Sequence, residues 1–249
     1  MQWKFDSRWM SCVARFAAVF VWLFSYALFG FTLGQALTAV NPVTVSLIAD
    51  IIFLFIGVYL YKRLRVTEFA GEPDYYERFS AVWRSIFLFV LWFCVYILGN
   101  VISAFIPDPA MSAYIDVQLN YAVPFAVLSI IIAPVVEELM FRGVSYLLIR
   151  RCAGIWFSAV LSSFAFGILH GTFAQFFMGT LFGIGQCFLF EYTHKLRWCI
   201  MMHVLVNIAS FVIAQLSIPI DLFLSGPLVV FLGMITVVSL VTLVPENRM

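Results

Sequence analysis

The sequence is poor in charge, in histidine and in paired cysteine. Asp, Glu, Lys and Arg make up 11% of its 249 residues, whereas about 25% is usual in soluble domains. The net charge of +1 excludes a protein that binds nucleic acid through a strongly basic surface. The five cysteines form no CxxC pair, so we predict neither a disulfide framework nor a thiolate zinc site and expect reduced thiols.

Apolar residues are in large excess. They make up 64% of the chain and aromatic residues 18%, against an apolar share of about 45–50% in soluble proteins. We therefore predict an all-α polytopic membrane protein, a single integral membrane domain over residues 1–249, in contact with the lipid bilayer. Eight segments are long enough to cross a bilayer. They lie near residues 13–37, 43–61, 83–106, 121–149, 155–171, 173–192, 198–217 and 222–244.

Two features bear on how these segments cross the membrane. The apolar run continues through Gly171 and Thr172, so one long tilted helix is the alternative to a turn there. With the N-terminus inside, 13 of the 14 Lys and Arg residues fall on the inner side, and Arg142 lies within a span. Basic residues in short loops collect in the cytoplasm. The sequence thus predicts eight crossings with both termini cytoplasmic, and we expect the plasma membrane.

Three predicted spans carry polar residues that lipid disfavours. An ionisable side chain inside a span costs at least about 2.5–3.5 kcal/mol on insertion scales, so each one is a functional candidate. The motifs are Glu137-Glu138-x-x-x-Arg142 in the fourth span, Phe166-x-x-x-His170 in the fifth and His203-x-x-x-Asn207 in the seventh.

Helical spacing separates the two glutamates of the first motif. Glu138 and Arg142 are four residues apart and share a helix face, which favours an ion pair. Glu137 is turned about 100° away from Glu138 and is free to face a cavity. The sequence thus predicts a neutralised pair and one available carboxylate.

A carboxylate, two imidazoles and a carboxamide allow few reactions. No serine or cysteine stands in a recognisable nucleophile context, which disfavours covalent catalysis. A buried glutamate can act as a general base toward water, and imidazole and amide N–H groups can stabilise an oxyanion. Amide hydrolysis is the simplest prediction. Two alternatives are a proton- or ion-coupled transporter or channel, and a non-catalytic immunity or scaffold protein.

In this order, the three motifs resemble the signature of the CPBP family, the CAAX proteases and bacteriocin-processing enzymes, also called the Abi family. The resemblance covers residues 121–215, which we interpret as the catalytic core. It implies an intramembrane endopeptidase that opens to the cytoplasmic side. Its substrates would be membrane-associated proteins or peptides, such as prenylated CAAX proteins, bacteriocin leaders or signalling peptides. It also implies that Glu138 and Arg142 orient Glu137.

The resemblance further implies roles for the remaining motif residues. Glu137 would activate the attacking water with help from His170, while His203 and Asn207 would hold the oxyanion. The family is often labelled metallopeptidase, and zinc could be held by Glu137, His170 and His203. We favour a mechanism without a cofactor, because an HExxH pair is absent and Asn207 is a poor zinc ligand.

Overall fold

The computed structural model describes residues 7–68, 78–106, 108–216 and 226–243. These residues form helices joined by short turns, with no strand among them. The helices are α1 (Ser7–Ala36), α2 (Pro42–Glu68), α3 (Arg78–Phe105), α4 (Pro109–Asn120), α5 (Ala122–Arg150), α6 (Ile155–Leu169), α7 (Phe173–Thr193), α8 (Leu196–Leu216) and α9 (Gly226–Leu243).

Within the described ranges, seven helices are long and apolar enough to cross a membrane. The predicted fifth span is α6, an apolar helix of only 15 residues. The prediction of an all-α polytopic membrane protein is confirmed. A helix of α6's length is too short to cross a bilayer upright, which explains how His170 at its end comes to lie inside the bundle.

The turn between α6 and α7 exists because of Gly171. Its φ of 74° lies in the left-handed region, which glycine adopts without a steric penalty. The Thr172 hydroxyl then accepts a hydrogen bond from the Gln175 backbone N–H at 3.2 Å and caps α7. The alternative of one long helix through this point is therefore wrong.

Helix α5 departs from regular α-helical geometry in two places. The segments Leu128–Ile132 and Leu139–Tyr146 are π-helical. Pro134 follows the first segment, and its ring and missing N–H disturb the hydrogen bond to the preceding turn. π-Helical turns are frequent at functional sites, and here they flank the two glutamates.

A short helix, α4, lies where only a connection between spans was predicted. Its N-cap is Asp108, whose Oδ1 accepts from the Ala110 N–H at 3.0 Å. The other carboxylate oxygen accepts from the Phe173 N–H at 2.7 Å and ties α4 to the start of α7. The sequence contains the signal for this helix, because Asp at the N-cap followed by proline at the first position is typical of helix starts.

One end of the bundle contains several of the described basic residues. Arg150 pairs with Glu191 at 3.0 Å, Arg151 donates to the Leu64 carbonyl at 2.8 Å, and Arg84 donates to the Leu243 carbonyl at 3.1 Å. These contacts bring the ends of α2, α5, α7 and α9 to the same face as the start of α3. We call it the basic face, and the positive-inside rule predicts that it is cytoplasmic.

Two cysteines correct the expectation of reduced thiols. Cys12 in α1 and Cys152 in the turn after α5 form a disulfide, with their Cα atoms 5.5 Å apart. The remaining cysteines, Cys94, Cys187 and Cys199, are free and buried. A pair separated by 140 residues cannot be recognised from spacing, because only the packing of α1 against α5 makes the two residues neighbours.

Helix α7 is the central helix of the bundle. In the 18-residue apolar stretch of α7, 61% is buried, which is the largest share among the described candidate spans. The corresponding shares are 11% in α1 and 22% in α9. Large apolar side chains on the outer helices are exposed, among them Phe20 at 67% and Val241 at 66%. This arrangement fits a bundle whose outer surface faces lipid and whose polar motifs are kept inside.

Candidate active site

The charged residues of the first motif meet the histidine of α8 inside the bundle. Arg142 Nη1 donates to Glu138 Oε1 at 3.0 Å, and both side chains are fully buried. His203 Nδ1 lies 2.8 Å from the same glutamate oxygen. The predicted Glu138–Arg142 pair is therefore present, and it has a third member from another helix.

The pairing with Arg142 determines the proton on His203. A guanidinium is always charged, so a carboxylate that it contacts in a buried site stays ionised and can only accept hydrogen bonds. The His203 nitrogen facing Glu138 is therefore the protonated Nδ1. Its other nitrogen, Nε2, lies 3.6 Å from Oε2 of Glu137. The imidazole thus stands between two glutamates, one buried and one with 24% of its side chain exposed.

The described contacts of Glu138 go to Arg142, His203 and Gln186. Helical spacing identified the i,i+4 pair, but it carries no information about which side chains of α7 and α8 approach it. The resemblance implies that Glu138 and Arg142 orient Glu137, and this role stays a prediction.

His170 joins the same site through Phe166. Its Nδ1 lies 2.8 Å from the Phe166 carbonyl oxygen, which only accepts, so Nδ1 carries the proton and Nε2 keeps its lone pair. The Phe166 ring lies 4.5 Å from the ring of His170 and 5.8 Å from that of His203, and the Arg142 guanidinium sits 4.7 Å from its centre. Phe166 is the apolar spacer that separates the two imidazoles.

Asn207 lies one helical turn beyond His203 and is half-buried. Its Nδ2 donates to the Ser129 carbonyl at 2.7 Å, in the first π-helical segment of α5. A carboxamide nitrogen has two N–H donors, so one remains after this bond. The described contacts place Asn207 beside α5 and do not include Glu137 or His203.

Sequence reasoning missed the part played by Gln186 in α7. This fully buried residue donates to the Cys199 carbonyl at 3.0 Å, and its Nε2 lies 3.5 Å from Glu138 Oε1. It therefore faces the buried carboxylate from the central helix. An amide within an apolar span is a signal, but one that spacing alone could not assign to this site.

Asp50 is another polar residue within a span. It is buried in α2 and accepts a hydrogen bond from the Tyr26 hydroxyl at 2.7 Å.

The three residues considered for zinc do not form a metal-binding group. Among the described residues, no set of three His, Cys, Asp or Glu side chains is arranged to hold an ion. Glu137 and His203 approach one another, but His170 does not complete a tetrahedral set with them.

Comparison with known proteins bears on this central part of the chain. Residues 119–209 match the family model of the Rce1-like type II CAAX prenyl endopeptidases, a segment that contains all three motifs. The resemblance to the CPBP family is confirmed.

One relative comes from Bacillus subtilis (strain 168) and is named "Putative membrane peptidase YdiL". It is 29% identical over 87 residues, which are 34% of this chain and 36% of that protein. The match thus spans about a third of the relative's length. No solved structure matches the chain.

Proposed function

We propose that the protein is an intramembrane endopeptidase in which Glu137 activates water to hydrolyse a peptide bond. The observation that carries this proposal is the series Arg142, Glu138, His203 and Glu137, in which a fully buried ion pair holds an imidazole against a partly exposed carboxylate. The series lies within the segment that matches the CAAX prenyl endopeptidases. Its substrate would be a membrane-associated protein or peptide.

The attack begins at Glu137. Its carboxylate accepts a proton from water as the oxygen attacks the substrate carbonyl carbon. His170 assists, because its Nε2 has a free lone pair and can accept a hydrogen bond from the same water. The proton taken by Glu137 is later given to the leaving amide nitrogen, so that the carboxylate is regenerated when the C–N bond breaks.

The attack leaves a negative charge on the oxygen of the substrate carbonyl, and this oxyanion needs hydrogen-bond donors. His203 can donate from Nε2 only when both ring nitrogens are protonated, and Glu138 lies 2.8 Å from Nδ1 on the other side of the ring. Asn207 supplies an amide N–H from the next turn of α8. Donors that are fixed in place stabilise the transition state more than solvent would.

The expectations from the sequence about cofactors, partners, substrates and location are part of this proposal. No metal or other cofactor takes part in the mechanism, and no nucleic acid is involved. Prenylated CAAX proteins, bacteriocin leaders and signalling peptides remain the substrate classes implied by the resemblance. Residues 121–215 form the catalytic core in this proposal, and the plasma membrane is the proposed location. An opening toward the cytoplasm, also implied by the resemblance, stays a prediction.

The proposal can be tested in cells through the peptides that the protein releases. Cells with wild-type protein should contain cleavage products that are missing with Glu137→Gln, and the uncleaved precursors should accumulate in the mutant membranes. Asp116→Asn is the matched control, because Asp116 is an exposed carboxylate on α4 and its loss should leave the products unchanged. Identical peptide sets in wild-type and Glu137→Gln cells would contradict the proposed function.

A further inference from the structure

A cavity of about 330 Å³ lies at the basic face, between the end of α2 and the turn that joins α7 to α8. Described residues from both sides line it: Tyr61, Arg65, His194, Lys195, Leu196 and Arg197. Three of these residues are Lys or Arg, and none of the described lining residues is Asp or Glu. The wall therefore has an excess of positive charge.

The turn between α7 and α8 brings the basic residues of the wall together. His194 ends α7 with a φ of 51°, and among the described residues it is the one non-glycine residue in the left-handed region. Its backbone N–H donates to the Phe190 carbonyl at 2.7 Å. Glycine is the usual residue at such a helix end, so the chain keeps an imidazole here at a conformational cost. The start of α8 then follows directly beside the cavity.

The start of α8 adds to the positive field of the cavity. Leu196 and Arg197 are its first two residues, and both line the wall. The N-terminus of a helix carries a partial positive charge and favours an anion. Tyr61 adds a hydroxyl donor, and its ring packs against α5, where a Cβ atom built on Gly143 would lie 3.1 Å from it. Guanidinium, hydroxyl and helix N-terminus are all groups that bind phosphate.

Other basic residues of this face serve the packing of the bundle. Arg84 donates to a backbone carbonyl at 3.1 Å, and Arg150 pairs with Glu191 at 3.0 Å. Arg65 and Arg197 are exposed, and neither has an acidic partner within the described part of the chain. The positive-inside rule explains why basic residues lie on this face. It does not explain why these two, from separate helices, line one cavity.

A second cavity shows that basic walls are not a general feature of the bundle. It has a volume of about 410 Å³ and borders His170 at the opposite end, where Val43 at the start of α2 lines it. No Lys or Arg is among the described residues around it. By contrast, Arg65 is the last residue of one candidate span and Leu196 the first of another. The basic cavity therefore lies at the level of the lipid headgroups.

We propose that the cavity at the basic face is a phosphate-binding site in which Arg65 and Arg197 are the cationic contacts. A guanidinium binds phosphate through paired N–H donors, and basic pockets between membrane helices on the cytoplasmic side bind lipid headgroups. A phospholipid headgroup and a free phosphate ion present the same chemical group, and the test separates these two sources. The site is independent of the proposed peptidase function.

Ligand binding by the full-length protein in detergent tests the site in two arms. In the first, the protein is titrated with phosphatidylglycerol and bound lipid is measured by native mass spectrometry. In the second, inorganic phosphate is added and its binding is measured by the rise in unfolding temperature. Arg65→Gln with Arg197→Gln removes the cationic contacts. Lys62→Gln with Arg63→Gln is the matched control, because these exposed residues change the net charge equally but do not line the cavity.

We expect phosphatidylglycerol to bind the wild-type protein and its affinity to fall about 30-fold in Arg65→Gln with Arg197→Gln, the loss typical of two basic contacts. The control should lose less than about 3-fold. Binding in the lipid arm assigns the site to a headgroup, and binding only in the phosphate arm assigns it to the free ion.

Two results would overturn the site. The first is that neither ligand binds in a way that depends on Arg65 and Arg197, and the second is an equal loss in both double variants, which would indicate a diffuse attraction to the whole face. If Arg65→Gln with Arg197→Gln does not fold, the single variant Arg197→Gln replaces it. Its position is exposed, and its expected loss of affinity is about 5-fold.

Discussion

His203 has a different partner on each ring nitrogen. Glu138 is fully buried and neutralised by Arg142, whereas Glu137 keeps 24% of its side chain exposed. One glutamate is therefore enclosed and the other is partly exposed. The two adjacent residues have distinct surroundings because they lie about 100° apart around the helix.

This difference predicts unequal effects of the two substitutions on stability. Glu138→Gln leaves the buried Arg142 cation uncompensated and should lower the free energy of unfolding by about 3–5 kcal/mol. Glu137→Gln should change it by less than about 1 kcal/mol, because that side chain is partly exposed. Denaturant unfolding of the purified variants in detergent measures both values.

Two outcomes decide this prediction. The double variant Glu138→Gln with Arg142→Met removes both charges and should recover much of the lost stability, without restoring cleavage. Equal stability of the two single variants would show that the Glu138–Arg142 pair does not carry the structural role.

Asn207 should contribute to the transition state rather than to substrate binding. Asn207→Ala is expected to lower kcat by about 10²–10³-fold, as the loss of one oxyanion donor does elsewhere, with little change in KM. Asn100→Ala is the control, because Asn100 is also an amide within a span and donates to the Tyr96 carbonyl at 2.8 Å. A larger effect on KM than on kcat would argue for a binding role instead.

Metal removal distinguishes the metal-free mechanism from one in which the histidines hold zinc. Treatment with 1,10-phenanthroline followed by exhaustive dialysis should leave cleavage by the purified protein unchanged. The reason is that, among the described residues, no three His, Cys, Asp or Glu side chains are arranged to hold an ion. Loss of cleavage that returns only on addition of Zn²⁺ would reverse this assignment.

At the scale of single residues, part of the candidate site could be predicted from the sequence. It identifies the ionisable residues and their helical neighbours, because spacing of four residues defines a face. It does not reveal that Glu138 contacts His203, since that contact joins α5 to α8 and depends on packing. Gln186 was missed as part of the site for the same reason.

The contact between α6 and α7 positions His170. A Cβ atom built on Gly167 would lie 2.6 Å from the Phe176 carbonyl oxygen and would also meet the Thr180 hydroxyl. The two helix backbones therefore approach one another as closely as glycine allows, which is common in membrane bundles.

Substitution at this crossing should disturb both stability and activity. Gly167→Ala is expected to cost about 1–3 kcal/mol, because the added methyl meets backbone that cannot move freely, and to reduce cleavage by shifting His170. Gly233→Ala is the matched control, since its Cβ has nothing within 4 Å. Thermal unfolding in detergent and cleavage rates of both variants provide the comparison. Similar stability of the two variants would contradict this close contact.

At the scale of the elements, the helices could be predicted wherever a long apolar segment defines a membrane span. Each predicted span corresponds to a described helix, including the short α6. Three features escaped prediction: the π-helical turns of α5, the helix α4 and the link between Cys12 and Cys152. The π-helical turns and the cysteine link depend on tertiary packing. Helix α4 was signalled by Asp108 followed by proline, a pattern that an analysis of hydropathy alone does not use.

On the scale of the whole molecule, the basic face and the cavity next to His170 lie at opposite ends of the bundle. The connecting segments around that cavity, residues 37–41, 106–121 and 170–172, contain no Lys or Arg. Charge placement could be read from the sequence. The location of the cavity could not, because it is formed jointly by α2, α4, α5 and the turn before α7.

Peptide hydrolysis by the purified protein in proteoliposomes is the most direct test of the proposed chemistry. Peptides drawn from membrane proteins are incubated in H₂¹⁸O with wild-type protein or Glu137→Gln, and products are identified by mass spectrometry. We expect wild-type protein to produce cleaved peptides whose new carboxyl terminus contains ¹⁸O, and Glu137→Gln to produce none. Equal cleavage by the two proteins would contradict the role of Glu137 as the base that activates water.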